Sequence, residues 1–323
     1  MKEIIFEPIT HQNEFVEINK KVLTDLGYTP KKLTAKNLLL SRKEKPPVVM
    51  GWVEDQPYRR DVGSIKSFLL TCRYAVLIIL SAFFASKKIW IKHNFKPHNA
   101  NGKLLYFRFL SFLLKLTKFE KIYLESYMEN GRLSHPLYLS DDIINKTISE
   151  PAAALKQKDK VVLFFGSIKR YKGVDSLLRS WPKELNLLLK GHCSDEQYSE
   201  ELLSVIEQRE LNVKWDNKYL SDDELISSLI EADFIILPHE DDAMISSGTF
   251  YHAISYGCNV LASESKFAIA KKDKHTFVNL VDFSKISQAY LSSIFVPKKQ
   301  VLSYALADYS RKALSEKWCE ILI

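Results

Sequence analysis

Short apolar runs alternate with helix-length segments along almost the whole chain. In the first half the strand-like runs are KEIIFEP (2–8), PPVVMGWVE (46–54), KKIWIKHN (87–94) and EKIYLES (120–126). Segments 13–26, 64–86 and 103–118 between them have helical length and pattern. A polar, proline-containing stretch follows, TISEPAAALKQKDK (147–160), and reads as a linker. The alternation then restarts with KVVLFF (160–165), LNLLLK, NVKW, DFIILP, NVLA and TFVNL (276–280). Ser221 with Glu224 three residues later has capping-box spacing and announces a helix over Asp222–Glu231. Residues 301–323 are amphipathic and predict a closing helix. Strands alternating with helices in this way mark α/β layers with parallel sheets. The pattern predicts two α/β domains, 1–150 and 151–300, facing across a cleft, with a C-terminal helix at 301–323. Ligands in such folds sit at the carboxyl ends of the strands.

One segment imitates a membrane span. Residues 74–86, YAVLIILSAFFAS, carry no charge, but a bilayer needs roughly 20 apolar residues, and Lys66, Arg73, Lys87 and Lys88 flank the run. A buried helix feeding the strand at 87–94 is the expectation there.

Composition changes the picture mainly through charge. At 323 residues, 46% hydrophobic and 26% charged, the chain is of ordinary globular make-up. Residues 1–150 hold 24 Lys and Arg against 15 Asp and Glu, a net of +9, and the remainder holds 22 against 24, a net of −2. A basic half beside a near-neutral one points to an anionic partner for the first half. Cys72, Cys193, Cys258 and Cys319 are scattered, without metal-ligand spacing, and read as reduced thiols of a cytoplasmic protein.

The chemistry gathers where strands end. FFGSIKRYKG (164–173) empties a buried strand into a loop carrying Lys169, Arg170 and Lys172 between Gly166 and Gly173. Glycines let the backbone approach a ligand, and the helix that follows turns its N-terminus toward it. A second loop, after DFIILP, places Ser246, Ser247, Gly248 and Thr249 at a helix start that Gly257 closes. An N-cap needs one such residue, and three with a glycine suit a phosphate. Two anion-suited loops at one sheet edge favour a nucleotide diphosphate. Glu240, Asp241 and Asp242 just before the second loop would repel that group and are expected to face sugar hydroxyls. In the first half, IWIKHNFKPHN opens a strand end into His93, Asn94, Lys96 and His98.

Together these residues resemble the GT-B glycosyltransferases, specifically the family 4-like enzymes of bacterial surface-polysaccharide assembly, the makers of exopolysaccharide, capsule and O antigen. FFGSIKRYKGVDSLL looks like the family's strand–YKG–helix motif, and ADFIILP with SSGTFYHAISYGCNVLAS looks like its phosphate-and-sugar motif. GWVE, KHNFKPHN and HPLYLSDD (135–142) look like its acceptor-side loops. The resemblance implies two Rossmann-like domains, with the C-terminal helix packing back toward the first. It implies that Lys172 contacts the donor diphosphate, that Ser247, Gly248 and Thr249 supply helix-terminal donors, and that His93 lies at the reacting sugar. It also implies that Tyr219 and Leu220 meet the nucleotide base through their backbone, and that no metal is needed because cations and a helix dipole stabilise the leaving diphosphate.

The chain departs from the family pattern in three places. Ser167 stands where many members have arginine, the usual glutamate pair would fall on Met244 and His252, and the first strand lacks a glycine-rich turn. Without the glutamates the stereochemical course stays open, and Glu54, Asp61 and His93 are the candidate bases. The basic helical segment 102–121, with Lys103, Arg108, Lys115 and Lys118 among leucines and phenylalanines, suits an anionic membrane surface where a lipid-linked acceptor would be found. No nucleic-acid module appears. The expected function is transfer of a hexose from a nucleotide sugar to a glycan, lipid-linked, at the inner face of the membrane. The alternative is a catalytically silent partner subunit of the same fold.

Overall fold

The computed structural model describes residues 2–10, 13–59, 62–97, 104–151, 159–239 and 245–323. Residues cluster into two compact units, one formed by Met1–Tyr138, Asp242–Ser246 and Arg311–Ile323, the other by Leu139–Asp241 and Ser247–Ser310.

Unit 1 begins with β1 (Lys2–Glu7), α1 (Glu14–Asp25), β2 (Tyr28–Lys32), α2 (Ala35–Leu40) and β3 (Val48–Gly51). It continues through α3 (Ser64–Phe84), β4 (Lys88–Ile91), α4 (Leu105–Leu116) and β5 (Glu120–Ile122). The strands form one parallel sheet in the order β2-β1-β3-β4-β5. All the strands expected in this half are present. β2 is the addition: its sequence YTPKK is polar and contains Pro30, which a sheet tolerates at an edge.

Unit 2 opens with α5 (Asp141–Ser149), then β6 (Val162–Phe165), α6 (Val174–Ser180), β7 (Leu187–Lys190), α7 (Glu196–Gln208) and β8 (Val213–Asp216). It goes on with α8 (Asp222–Glu231), β9 (Phe234–Leu237), α9 (Gly248–Ile254), β10 (Asn259–Ala262), α10 (Lys266–Lys274), β11 (Val278–Leu280), α11 (Gln288–Ile294) and α12 (Lys298–Tyr309). Its six strands are parallel in the order β11-β10-β9-β6-β7-β8. β6 and β9 are buried throughout, as strands covered on both faces must be. Ser221 and Glu224 form the expected capping box of α8. The buried Lys271 ammonium ties α9, α10 and α12 together, donating to the hydroxyls of Tyr251 (2.7 Å) and Tyr309 (3.2 Å) among four aromatic rings. Hydrogen bonds and ring faces offset the cost of burying this charge.

The C-terminal stretch is two helices. α12 ends at Ser310, and α13 (Arg311–Leu322) packs on α1, where the fully buried Trp318 donates to Asn19 Oδ1 at 2.7 Å. A fold-level correction concerns α3. Expected as a buried helix, it buries 33% of its most apolar stretch, though it is long and apolar enough to cross a membrane. Its inner stripe is Ser67, Thr71, Tyr74, Leu77, Ile78 and Ser81, while Ile65, Phe68, Leu69, Val76, Ile79 and Phe83 are exposed. The hydroxyls of Thr71 and Ser81 satisfy themselves on carbonyls one turn back, so small polar residues share the inner face with Tyr74, Leu77 and Ile78 while six other bulky apolar residues are left outside.

Candidate functional site

In unit 2 the strand order reverses between β6 and β9, and such switch points are where open α/β sheets hold ligands. The loop after β6 and the residues after β9 therefore run side by side. Gly173 has φ +67°, in the left-handed region, and a Cβ there would stand 2.8 Å from the Pro238 carbonyl oxygen. Gly191, after β7, has no room either, since its Cβ would fall 2.0 Å from the Gly166 oxygen. These close approaches fold the loop back so that Lys172 Nζ lies 3.3 Å from the point a Gly166 Cβ would occupy. Burial, with Lys169 nearby, pulls the Lys172 ammonium down to about 8. His239 is the adjacent group that sequence reasoning missed. Burial first and Lys172 second pull it down to about 4, and its Nδ1 is buried without a partner. A neutral imidazole and a confined ammonium thus stand together at the switch point, an arrangement suited to an anion.

Arg170 is turned to the surface, where it pairs with Glu201 at 2.8 Å and Asp195 at 3.4 Å and covers the Tyr198 ring. Ser247 caps α9, accepting from Phe250 N at 3.3 Å, with Gly248 and Thr249 half-buried behind it. The Ser246 hydroxyl donates to Glu125 within unit 1. Tyr219 is exposed beyond β8 with its ring 4.4 Å from that of His192, and Leu220 precedes the α8 cap. His252 lies edge-on to Phe165 at the end of β6, and burial lowers it to about 4. Glu240, Asp241, Asp242, Met244, His98, Asp61 and Lys103 lie outside the described residues.

In unit 1 His93 stands two residues past β4, buried, with its ring stacked on Trp52 at 3.5 Å and 11°. Phe15 meets it edge-on at 5.3 Å. Its Nε2 has no hydrogen-bond partner and lies 3.1 Å from where a Gly51 Cβ would stand. Burial first, then His135 and Lys92, hold its pKa well below the ordinary histidine range, so the ring is neutral at pH 7. Trp52 itself has φ +55°, strained for a bulky residue and of the kind that collects at functional sites. Trp52, Phe15 and His135 complete this cluster. The motif GWVE supplied Trp52 and HPLYLSDD supplied His135, but nothing in the sequence pairs them with His93.

Glu54 faces inward. It is 1% exposed, accepts from Trp90 Nε1 at 3.1 Å and lies 3.6 Å from Lys92 Nζ, and burial pushes it up to about 7. Its neighbour Asp55, raised to about 6 by burial, accepts from Asn94 at 3.1 Å. Lys96 is exposed.

No protein family description matches the sequence, and no curated protein does. Solved structures match over the whole chain. A glycosyltransferase from Rickettsia africae ESF-5 is 13% identical with a TM-score of 0.58, covering 99% of this chain and 97% of that one. Anabaena Alr3699/HepE in complex with UDP is 13% identical at 0.53, covering 100% and 99%. The alpha,alpha-trehalose-phosphate synthase (UDP-forming) from Burkholderia vietnamiensis is 8% identical at 0.56, again covering 100% and 99%. The fold is GT-B. At these identities the likeness speaks for the two Rossmann-like units alone.

Proposed function

We propose that this chain is a glycosyltransferase that moves a hexose from a uridine diphosphate sugar to a lipid-linked glycan in surface-polysaccharide assembly, working from the cytoplasm at the inner face of the membrane. The observation that carries the reading is the confined Lys172 ammonium at the switch point of unit 2, between two glycines that no other residue can replace without a clash or a strained backbone. UDP in the HepE complex and the UDP-forming synthase of the same fold support the choice of nucleotide. In this reading Gly166, Lys169, Lys172, Gly173 and the α9 start at Ser247–Thr249 hold the diphosphate, while Ser246, held by Glu125, takes no part. Tyr219 and Leu220 hold the base, and Glu240 the sugar. The bond from the sugar's anomeric carbon to the diphosphate breaks, the acceptor hydroxyl oxygen bonds to that carbon, and the hydroxyl proton goes to a base. We assign that proton to His93 Nε2, neutral and unpartnered. Asn94, Lys96 and His98 are assigned to the acceptor side. Glu54 is assigned to positioning, since its buried carboxyl holds Trp90 and Lys92. The leaving diphosphate is stabilised by cations and helix-terminal N–H groups, with no metal in the scheme.

The test is a thermal-shift panel of UDP, GDP, dTDP, CMP and their sugar conjugates, since a ligand that binds only the native state raises its melting temperature. UDP and UDP-hexoses are expected to raise it and Lys172→Ala to abolish the rise. A chain stabilised by none of them is not a transferase of this kind.

A further inference from the structure

Part of the first half's basic charge lines a pocket beside α4. A pocket of about 310 Å³ lies between α4 and strands β4 and β5, and Lys92, Arg108, Lys115 and Lys121 line it, with Ser111 and Phe112. No carboxylate lines it among the described residues. The carboxyls facing Lys92 are Glu54 and Asp55, both pushed upward by burial, so they offset the four cations only in part. The Ser111 hydroxyl is buried without a partner, unlike Thr71 and Ser81, which donate to the preceding turn. Such an orphan donor beside cations suits a phosphate oxygen.

The same helix carries an apolar seam. Leu105, Phe109, Phe112 and Leu116, spaced four, three and four residues apart, are 74%, 45%, 60% and 63% exposed. α3, which packs against α4, exposes its own seam of Ile65, Phe68, Leu69, Val76, Ile79 and Phe83. Contiguous exposed apolar residues of this extent mark an interaction face. A cationic pocket opening beside an apolar ridge matches one class of ligand, an amphiphile with a phosphate head. We propose that the α4 pocket binds the phosphate of an anionic phospholipid while the α3 and α4 seams enter the acyl layer. The proposal rests on the membrane-surface part of the reading above and is independent of glycosyl transfer.

Co-sedimentation with vesicles tests it. The wild-type chain is expected to bind phosphatidylcholine vesicles containing phosphatidylglycerol and to leave pure phosphatidylcholine vesicles in place. One cation near an anionic surface is worth about fivefold in affinity, so Lys115→Gln with Lys121→Gln is expected to weaken binding roughly 25-fold. Lys31→Gln with Lys43→Gln, outside the pocket, is expected to change it less than twofold, or about a few tenths of a kcal/mol. Equal losses in the two double variants would reduce the effect to diffuse surface charge and overturn the site. Binding to vesicles doped with a polyprenyl phosphate but not to those with phosphatidylglycerol would overturn the phospholipid source. Failure to bind any vesicle would overturn the membrane reading too. Transfer to a soluble acceptor in detergent is expected to be unchanged in the Lys115/Lys121 double variant, which keeps the outcome separate from the transferase assignment.

Discussion

Lys172 carries an electrostatic cost before it binds anything. Its folded-state pKa of about 8 lies below the ordinary 10.5, so the unfolded chain binds more protons between those values and stability rises as pH climbs through that window. Below pH 8 the whole penalty is in force. Lys172→Met keeps the bulk and removes the charge, and is expected to raise the melting temperature of the unliganded chain by about 2–4 °C per kcal/mol relieved. The same variant is expected to lose UDP affinity by roughly 10- to 100-fold, the worth of one charged hydrogen bond. Wild-type UDP affinity is expected to weaken as pH passes 8, and the variant's to stay flat. Calorimetry across pH 7–10 reads all three. His93 behaves oppositely in function. Burial holds it neutral at pH 7, and if it takes the acceptor proton as proposed the acid limb of kcat/KM is expected below pH 6.5. His93→Ala is expected to lower turnover by about 10²–10⁴ while UDP affinity holds. A variant that turns over normally would remove His93 from the reaction.

At the scale of elements, the hydrophobic pattern is most legible where strands are buried on both faces. β6 and β9 are uninterrupted apolar runs because no face of them meets water. β2 escapes because an edge strand needs no such run, and a proline there breaks the pattern without breaking the sheet. α3 misleads for a related reason: its apolar content suggests burial, whereas its inner face mixes Ser, Thr and Tyr with Leu77 and Ile78, and many of its Ile, Leu, Val and Phe side chains are exposed. The fold of the loop after β6 was legible through its glycines, and His239 was not, because only the neighbouring strands in space bring it to Lys172. Turn geometry gives two checks. Gly173→Ala is expected to destabilise unit 2 by more than about 1 kcal/mol and to weaken UDP binding, since the new methyl meets the Pro238 carbonyl beside Lys172. At Trp52 the usual ranking inverts. Trp52→Ala keeps a Cβ at φ +55° and Trp52→Gly does not, so the glycine variant is expected to be the more stable of the two by about 1 kcal/mol in urea unfolding.

At the scale of the whole chain, the two units have separate hydrophobic cores, and the last helix belongs to the first of them. α13 inserts Leu314, Trp318 and Ile321 into the core that holds Phe15, Val16 and Ile91. Trp318 donates to Asn19, Asn19 donates to the Phe15 carbonyl at 2.7 Å, and the Phe15 ring meets His93. The end of the sequence thereby supports the histidine cluster near its beginning, a link between residues 299 positions apart that no local pattern could reveal. Trp318→Ala removes a fully buried ring and leaves Asn19 Oδ1 unpaired, a change that costs about 3–5 kcal/mol in comparable cores. Since unit 2 keeps its own core, heating is expected to resolve two transitions in the variant, the lower one from unit 1. If the proposed donor site is right, UDP is expected to raise the upper transition and leave the lower one where it is, because that site lies in the unit that holds Lys172. Turnover is expected to fall with the loosened His93 stack while UDP affinity is retained. A single transition that moves as a whole with UDP would mean that the two units unfold as one cooperative body, and that α13 stabilises the entire chain and not unit 1 alone.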